Sequence, residues 1–380
     1  MRFLQTADWQ LGMRRHFLGP EHQGQFDAAR RDVLGTLARL AVTERCEAVV
    51  VCGDVFETNQ VSARTVGQAM DQLRGLSMPV YLLPGNHDPL GAGSVWTSER
   101  FLAAKPDHVH VLTGTNPVEV RPGFEVVGAP WTSNRPTSDL IGGVCAALDP
   151  APPGVVRVAV GHGAVDKVAP QSDPVSVIRH STLAAALAAG KVHFVALGDR
   201  HSATEVDQRV WYAGAPEPTA FVEVDPGKVL VVEIDEDDPG RVPIVVAHQV
   251  GTWRFETLEA ALNGSADVAE LRSELRSMPH KERTVVKLAV RGTVSVTEKS
   301  DYDRLRIEAA DLFAGVVESK SRTDLAVRPE DGDFSGLNLA GFAALALEDL
   351  RLQAASEDTK AARTAADALG LLVRFAGRTA

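Results

Sequence analysis

Short apolar runs recur along the first 235 residues, and five of them lead directly into a turn that carries a side chain able to bind a metal ion. Residues 2–6 run into Asp8-Trp9-Gln10, and 48–52 into Gly53-Asp54-Val55-Phe56-Glu57. Residues 80–83 lead through Pro84 into Gly85-Asn86-His87-Asp88, 155–160 into Gly161-His162-Gly163, and 192–197 into Gly198-Asp199-Arg200-His201. Continuous apolar runs of this length suit strands buried on both faces. Between them lie helical spacings: 25–45, with Phe26, Val33, Leu34, Leu37, Leu40 and Ala41 on one side, and a helix capped by Ser62 and running to about Leu76. This strand–helix alternation predicts an α/β layered domain. Further runs at 109–112, 124–127 and 229–234 would make a single sheet large, so two packed sheets flanked by helices are expected.

A chain of 380 residues exceeds one ordinary core. Asp235-Glu236-Asp237-Asp238-Pro239-Gly240 reads as a turn or linker that closes a first domain, 1–240. Beyond it, 253–258, 284–290 and 324–327 read as strands, and 265–278 and 302–313 as helices. They make a small α+β domain over 248–330. Residues 332–336 read as loop. Residues 339–375 are rich in Ala and Leu at helical spacing, broken near 356–358, and predict a helical hairpin within a C-terminal segment, 337–380. No apolar run approaches the roughly 20 residues that span a bilayer, and the N-terminus has no signal-peptide core. Cys46, Cys52 and Cys145 form no CxxC pair, which fits a reducing cytoplasm and not a structural zinc site.

Loops at the carboxyl ends of strands in an open α/β sheet are where ligands bind. Asp, Asn and His offer carboxylate, amide oxygen and imidazole, a mixed set that suits manganese or a similar divalent ion. One carboxylate can bridge two ions about 3.5–4 Å apart, the arrangement of two-metal phosphoesterases. Taken singly the motifs have plainer readings: Asp8 as a turn residue, Gly53-Asp54 as a strand-to-loop turn, His162 as a hydrogen-bonded structural histidine. Five ligand-type turns in order, each after an apolar strand, outweigh those readings. The net charge of −11 counts against a DNA partner, because duplex binding uses Lys and Arg to neutralise phosphates. Net charge averages over the chain, however, and a carboxylate-rich metal site reads as acidic until its ions are counted.

The ordered set resembles the calcineurin-like metallophosphoesterases, and within them the SbcD-type nucleases, bacterial relatives of the eukaryotic double-strand-break nuclease. The narrower resemblance rests on His87-Asp88-Pro89 directly after Gly85-Asn86. It also rests on Trp211-Tyr212-Ala213-Gly214-Ala215-Pro216-Glu217-Pro218, followed by Phe221-Val222-Glu223 and Gly227-Lys228-Val229. It covers about residues 1–235. The resemblance implies a four-layer α/β/β/α sandwich with a small α+β capping, DNA-binding domain and a C-terminal helical hairpin. It further implies two divalent ions, Mn2+ with Mg2+ as the alternative, and a homodimeric DNA nuclease, exonuclease or endonuclease, within a double-strand-break repair complex. The C-terminal helices would bind an SbcC-type ATPase, a separate chain because this one has no Gly-Lys-Ser/Thr phosphate loop.

Carried over by motif, Asp8, Gln10, Asp54 and His201 would hold one ion, and Asp54, Asn86, His162 and Asp199 the other, with Asp54 bridging. His87, helped by Asp88, would bind phosphate or protonate the leaving oxygen. Gln10 and Asp199 depart from the family pattern, which has histidine at both places. Each replaces an imidazole by an oxygen ligand, giving a harder site that favours manganese or magnesium over zinc. Two competing readings remain. One is a small-molecule phosphodiesterase or phosphatase on the same core, which the long extension over 241–380 counts against. The other is a non-catalytic assembly module with a decayed site, which the survival of six other site residues counts against. Arg14, Arg15 and Arg200 lie near the proposed ligands and would contact DNA phosphates. Trp9, Trp96 and Trp131 either stack on bases or pack at domain edges.

Overall fold

The computed structural model describes residues 1–173, 175–328, 339–356 and 359–376. The chain forms two compact units, Met1–Arg15 with Gln23–Trp253, and His16–His22 with Arg254–Ala380.

Up to Trp253 the chain runs β1 (Arg2–Thr6), α1 (Pro20–Thr43), β2 (Ala48–Val51), α2 (Ala63–Leu73), β3 (Val80–Leu82), α3 (Glu99–Ala104) and β4 (Val109–Val111). It continues with β5 (Val118–Arg121), β6 (Phe124–Gly128), α4 (Leu140–Ala147), β7 (Val156–His162), α5 (His180–Ala188) and β8 (Phe194–Gly198). β9 (Thr204–Asp207), β10 (Val210–Tyr212), β11 (Lys228–Glu233) and β12 (Ile244–Gln249) complete it. The strands form two six-stranded sheets, in the orders β12-β11-β1-β2-β3-β4 and β5-β6-β7-β8-β10-β9. Within the first, β1 to β4 are parallel, with Phe3 opposite Ala48 and Val49 opposite Val80.

Side-chain alternation explains the continuous apolar runs. Phe3, Ala48, Val50 and Tyr81 point between the sheets and meet Phe124, Val126, Val158, Val160 and Phe194. There the Phe3 ring stands edge-on to Phe194 at 5.8 Å. Their neighbours Leu4, Val49 and Val51 point the other way, onto Leu34 and Leu37 of α1 and Val66 and Met70 of α2. On the far side, Val127, Ala159, Val195 and Leu197 pack on Ile141 and Cys145 of α4 and Leu183 and Leu187 of α5. The result is a four-layer α/β/β/α sandwich whose central strands are covered on both faces. α2 begins where its capping serine places it, with Thr65 N donating to Ser62 Oγ at 3.1 Å.

The acidic turn at 235–240, expected to close the first domain, instead joins two strands of one sheet. β12 pairs antiparallel with β11, Val246 opposite Val231. Its alternating exposure hid it: Ile244 and Val246 face outward, so no buried run marks the strand. β5 and β9 escaped for the same reason, since each carries charged residues on a half-exposed face.

The second unit contains β13 (Arg254–Leu262), α6 (Ser265–Ser277), β14 (Thr284–Ser295), α7 (Val296–Ala310), β15 (Gly315–Glu318), β16 (Asp324–Arg328), α8 (Phe342–Ala354) and α9 (Thr359–Ala376). β14 is the long central strand. It pairs in parallel with β13 on one side, and on the other with β15 along its first half and β16 along its second. Leu271, Leu275, Tyr302 and Leu305 of α6 and α7 cover Val286, Leu288 and Val290. α7 starts earlier than the apolar spacing from 302 indicates, because Ser295 and Glu298 form a reciprocal capping box. α9 packs on this sheet, where Thr293 Oγ1 donates to the Gly370 carbonyl at 2.8 Å. The loop expected at 332–336 and the break at 357–358 lie outside the described residues.

Candidate metal centre

Backbone hydrogen bonds build the site first. Asp8 N donates to Gly53 O at 3.0 Å, Gln10 N to Asp54 O at 2.9 Å and Leu11 N to Val55 O at 2.9 Å, zipping the loop after β1 to the loop after β2. Of seven non-glycine residues with positive φ among the described residues, four are expected ligands: Asp8 at 54°, Gln10 at 42°, Asp54 at 54° and Asp199 at 92°. Such backbone persists only where its surroundings over-determine it, and it clusters at functional sites. Two glycines are fixed by space. A Cβ on Gly53, at φ 94°, would lie 2.2 Å from His162 Nδ1, and one on Gly198 would lie 1.9 Å from Cys52 O.

Asp8, Asp54 and His162 are buried, with ligand-type atoms all within 4.8 Å of one another. His162 Nε2 sits 2.7 Å from Asn86 Oδ1, 3.4 Å from Asp54 Oδ2 and 3.8 Å from Asp199 Oδ1. Its Nδ1 is 2.8 Å from Cys52 O, so Nδ1–H donates there and Nε2 is turned toward the carboxylates. His201 is held in the same manner. Nδ1 donates to Glu223 Oε1 at 2.9 Å, and Nε2 stands 3.8 Å from Asp8 Oδ1. Asp199 N donates to both oxygens of Asp8 at 3.2 Å, linking the two halves. The Gln10 backbone is tied to the Asp54 carbonyl by a hydrogen bond, and its buried Oε1 has no hydrogen-bond partner among the described residues.

The electrostatics call for positive charge. Burial pushes the Asp8 carboxyl up to about 6. Burial also acts against the Asp54 carboxylate, but His162 outweighs it and the net shift is downward. For His162 burial opposes protonation, yet Asp54, Asp8 and Asp199 carry it well above the ordinary imidazole value. Burial likewise opposes charge on His201, and Glu223 with Asp8 reverses it. The imidazole nitrogens and carboxylates gathered here form a donor set that divalent cations fit, and the buried Gln10 Oε1 is an amide oxygen still without a partner among the described residues.

His87 N donates to Asp54 Oδ1 at 2.9 Å. Its ring places Nδ1 3.0 Å from the Glu57 carbonyl and Nε2 3.9 Å from Asp54 Oδ2, with 36% of the side chain exposed. Asp88 takes a different place from the one expected of it. Its oxygens accept from Phe56 N at 2.9 Å and Gly85 N at 2.7 Å, which ties the second and third loops together. Burial raises that carboxyl to about 7 against the pull of both amides. The carboxylates beside the His87 ring are Glu57, 3.8 Å from Nδ1, and Asp54, 3.9 Å from Nε2.

The three expected DNA-contacting arginines part company. Arg15 donates to the Thr219 carbonyl and is half-buried, Arg200 Nε donates to Thr204 Oγ1 at 2.9 Å, and Arg14 is exposed. Trp9 and Trp96 are core residues, whereas half-buried Trp131 donates to the His162 carbonyl at 2.8 Å.

Sequence reasoning missed the supports. Glu223, which orients His201, lies in the family-like segment Phe221-Val222-Glu223. Arg30 is buried and donates to the carbonyls of Trp9, Glu217 and Pro218, and its burial lowers it to about 10. Its signal was available, since Arg30 falls between Phe26 and Val33 on the apolar stripe of α1. Glu217 in turn accepts from Thr252 N and Trp253 N, at 2.9 and 3.0 Å.

Residues 1–231 match the Calcineurin-like phosphoesterase family. The chain belongs to that family. This phosphoesterase is 30% identical over 136 residues to the SbcD subunit of nuclease SbcCD from Bacillus subtilis (strain 168), a match taking 35% of this chain and 28% of that protein. It therefore spans under a third of that relative's length. TT1561 of Thermus thermophilus is similar in structure at TM-score 0.39 and 10% identity, over 66% of this chain and 98% of that one. A dimetal phosphatase from Danio rerio is similar at TM-score 0.38 and 15% identity, over 61% and 91%. As a metallophosphoesterase the chain is a metal-dependent hydrolase whose family uses divalent ions. Among the described residues no helix is long and apolar enough to cross a membrane.

Proposed function

We propose that this metallophosphoesterase is a DNA nuclease that hydrolyses phosphodiester bonds with two divalent ions, Mn2+ or Mg2+. It serves as the nuclease subunit of a cytoplasmic double-strand-break repair complex, as a homodimer with a separate SbcC-type ATPase. The observation that carries the two-ion reading is the pairing of His162 and His201. Each is fixed through Nδ1 and presents Nε2 to a carboxylate, Asp54 at 3.4 Å and Asp8 at 3.8 Å. The 136-residue relation to a subunit of nuclease SbcCD supports the nuclease reading.

In this reading Asp8, Gln10, Asp54 and His201 hold one ion, and Asp54, Asn86, His162 and Asp199 the other. Bound ions there would neutralise phosphate oxygens and lower the pKa of an attacking water. The chain's own residues do the rest. The Cys52 carbonyl and the Glu223 carboxylate keep protons on the two Nδ1 atoms, so neither histidine can rotate away from its carboxylate. The Glu57 carbonyl holds the His87 Nδ1 proton, leaving Nε2, 3.9 Å from Asp54 Oδ2, to carry a proton to the leaving oxygen. Asp88 sets where that histidine stands by locking Gly85 to Phe56. Gln10 and Asp199 make the pair oxygen-rich, which favours manganese or magnesium over zinc.

The test is cleavage of double-stranded DNA by the full chain with Mn2+, with His87→Ala and the small diester bis-p-nitrophenyl phosphate in parallel. DNA cutting that disappears with His87→Ala is the expected result. Cleavage of the small diester alone, with or without an added ATPase, would sink the nuclease reading in favour of a small-molecule phosphodiesterase. No turnover of either and no bound Mn2+ would leave an assembly module.

A further inference from the structure

A cleft of about 520 Å³ opens beside the metal loops in the first unit. Its walls continue those loops: Leu11, Gly12 and Arg14 follow Gln10, and residues from Thr58 onward follow Asp54. The opposite wall is α1, through Gly24, Asp27 and Arg31. Three arginines, Arg14, Arg31 and Arg64, line it against a single acid, Asp27, in a chain whose net charge is −11. Arg31 is bridged to Asp32 at 3.0 Å, and Asp27 accepts from Gln23 Nε2 at 2.7 Å. Arg14 and Arg64 are both exposed; Arg14, like Arg31, interacts electrostatically with the Asp27 carboxylate, and Arg64 is in no ion pair among the described residues. Three guanidinium groups against one lining carboxylate leave the cleft positively charged, and the planar Arg fork matches phosphate oxygens. Gly24 leaves the cleft open, since a Cβ there would meet nothing within 4 Å.

We propose that this cleft is a phosphate-ester site that takes a group of nucleotide size, separate from the metal centre and reached past the loop that carries Gln10. Its ligand is a nucleotide unit. One source is a nucleic-acid strand whose reacting phosphate lies at the metals, and that source rests on the nuclease reading above. The other is a free nucleoside monophosphate, which does not.

The experiment uses the full chain and two surface variants. Arg64→Glu reverses one charge, and Gly24→Phe fills the cleft without altering charge. A fluorescent single-stranded oligonucleotide is titrated by anisotropy in EDTA, so that metal ions contribute nothing, and thymidine 5′-monophosphate by calorimetry. Hydrolysis of bis-p-nitrophenyl phosphate with Mn2+ and cutting of DNA are measured beside them. Both variants are expected to weaken oligonucleotide binding about tenfold. Arg64→Glu should also lower the salt dependence by about one phosphate contact. Turnover of the small diester should match the wild type in both. Loss of thymidine monophosphate binding in the same variants assigns the free nucleotide as well, whereas an effect on the oligonucleotide alone assigns the strand. If both variants bind both probes as the wild type does, the cleft is no phosphate site, and DNA cutting that continues leaves the nuclease reading standing. If the wild type neither binds the oligonucleotide nor cuts DNA, yet binds the monophosphate in a variant-sensitive way, the nuclease reading falls and the site stands. A wild type that binds neither probe overturns the site.

Discussion

Glu223→Gln isolates what one buried carboxylate does for the metal centre. Glu223 is 4% exposed at its side chain and sits against His201 Nδ1 at 2.9 Å. Its Oε1 also accepts from Ala220 N at 3.0 Å, and its Oε2 from Thr219 N at 2.9 Å. A glutamine amide must turn one oxygen into a donor. Turned toward Oε1 it would face His201 and Ala220 together, so the lesser cost is to take the Oε2 place, where Thr219 N still reaches Oε1 at 3.1 Å and the new buried NH2 is left without an acceptor, about 1–3 kcal/mol. The His201 bond then survives but loses its ionic character, which roughly halves its strength. Loss of such a supporting carboxylate costs about 10–100-fold in metal affinity, or about 1.4–2.7 kcal/mol. His162 leans on a backbone carbonyl that the substitution does not touch. Calorimetric titration of the metal-stripped chain with Mn2+ should therefore show one site weakened by that factor and the other changed by less than about threefold. A urea unfolding curve separates the stability loss from the affinity loss. Two sites weakened equally, or neither weakened, would refute the orienting role and the assignment of His201 to a separate ion.

Phe3→Ala removes a fully buried ring from between the sheets, 5.8 Å from Phe194 and 6.2 Å from Phe124, and should cost about 3–5 kcal/mol in urea unfolding; a loss under about 1 kcal/mol would mean that the sheets do not pack there. Asp88→Ala strips the acceptor from two buried amides and should destabilise by about 2–4 kcal/mol, whereas a change in turnover with no change in stability would return Asp88 to a direct catalytic role. The buried thiols should resist labelling, because burial pushes Cys46 and Cys145 up to about 12. A raised thiol pKa lowers the reactive thiolate at every pH below it, so at pH 8.5 roughly one thiol in 3,000 is ionised against about half for a free cysteine. Ellman's reagent should then react at least about 100-fold faster in urea than in the folded chain, and equal rates would contradict the burial.

The legible parts of this chain share a physical cause. Residues 48–51 read correctly as a strand because Val50 faces the second sheet while Val49 and Val51 face the helices, so every position had to be apolar. β12 was illegible because one of its faces meets solvent, and the acidic turn before it looks the same whether it ends a domain or reverses a hairpin. Asp88 shows the limit at the site. Its place after His87 put it in the right loop, but its direction follows from amides at Phe56 and Gly85 that only the packed loops bring together.

By itself the sequence determined the alternation of elements, the order of the ligand-type turns and the chemical kinds of donor, since burial and turn geometry act over a few neighbouring residues. The tertiary structure decided which atoms converge. His162 meets the Cys52 carbonyl across 110 residues, Asp199 meets Asp8 across 191, and Arg14, Arg31 and Arg64 come to one cleft from two helices and a loop. Those meetings are set by strand order and sheet packing, in which contacts between residues far apart in the chain offset the entropy of closing the long loops between them.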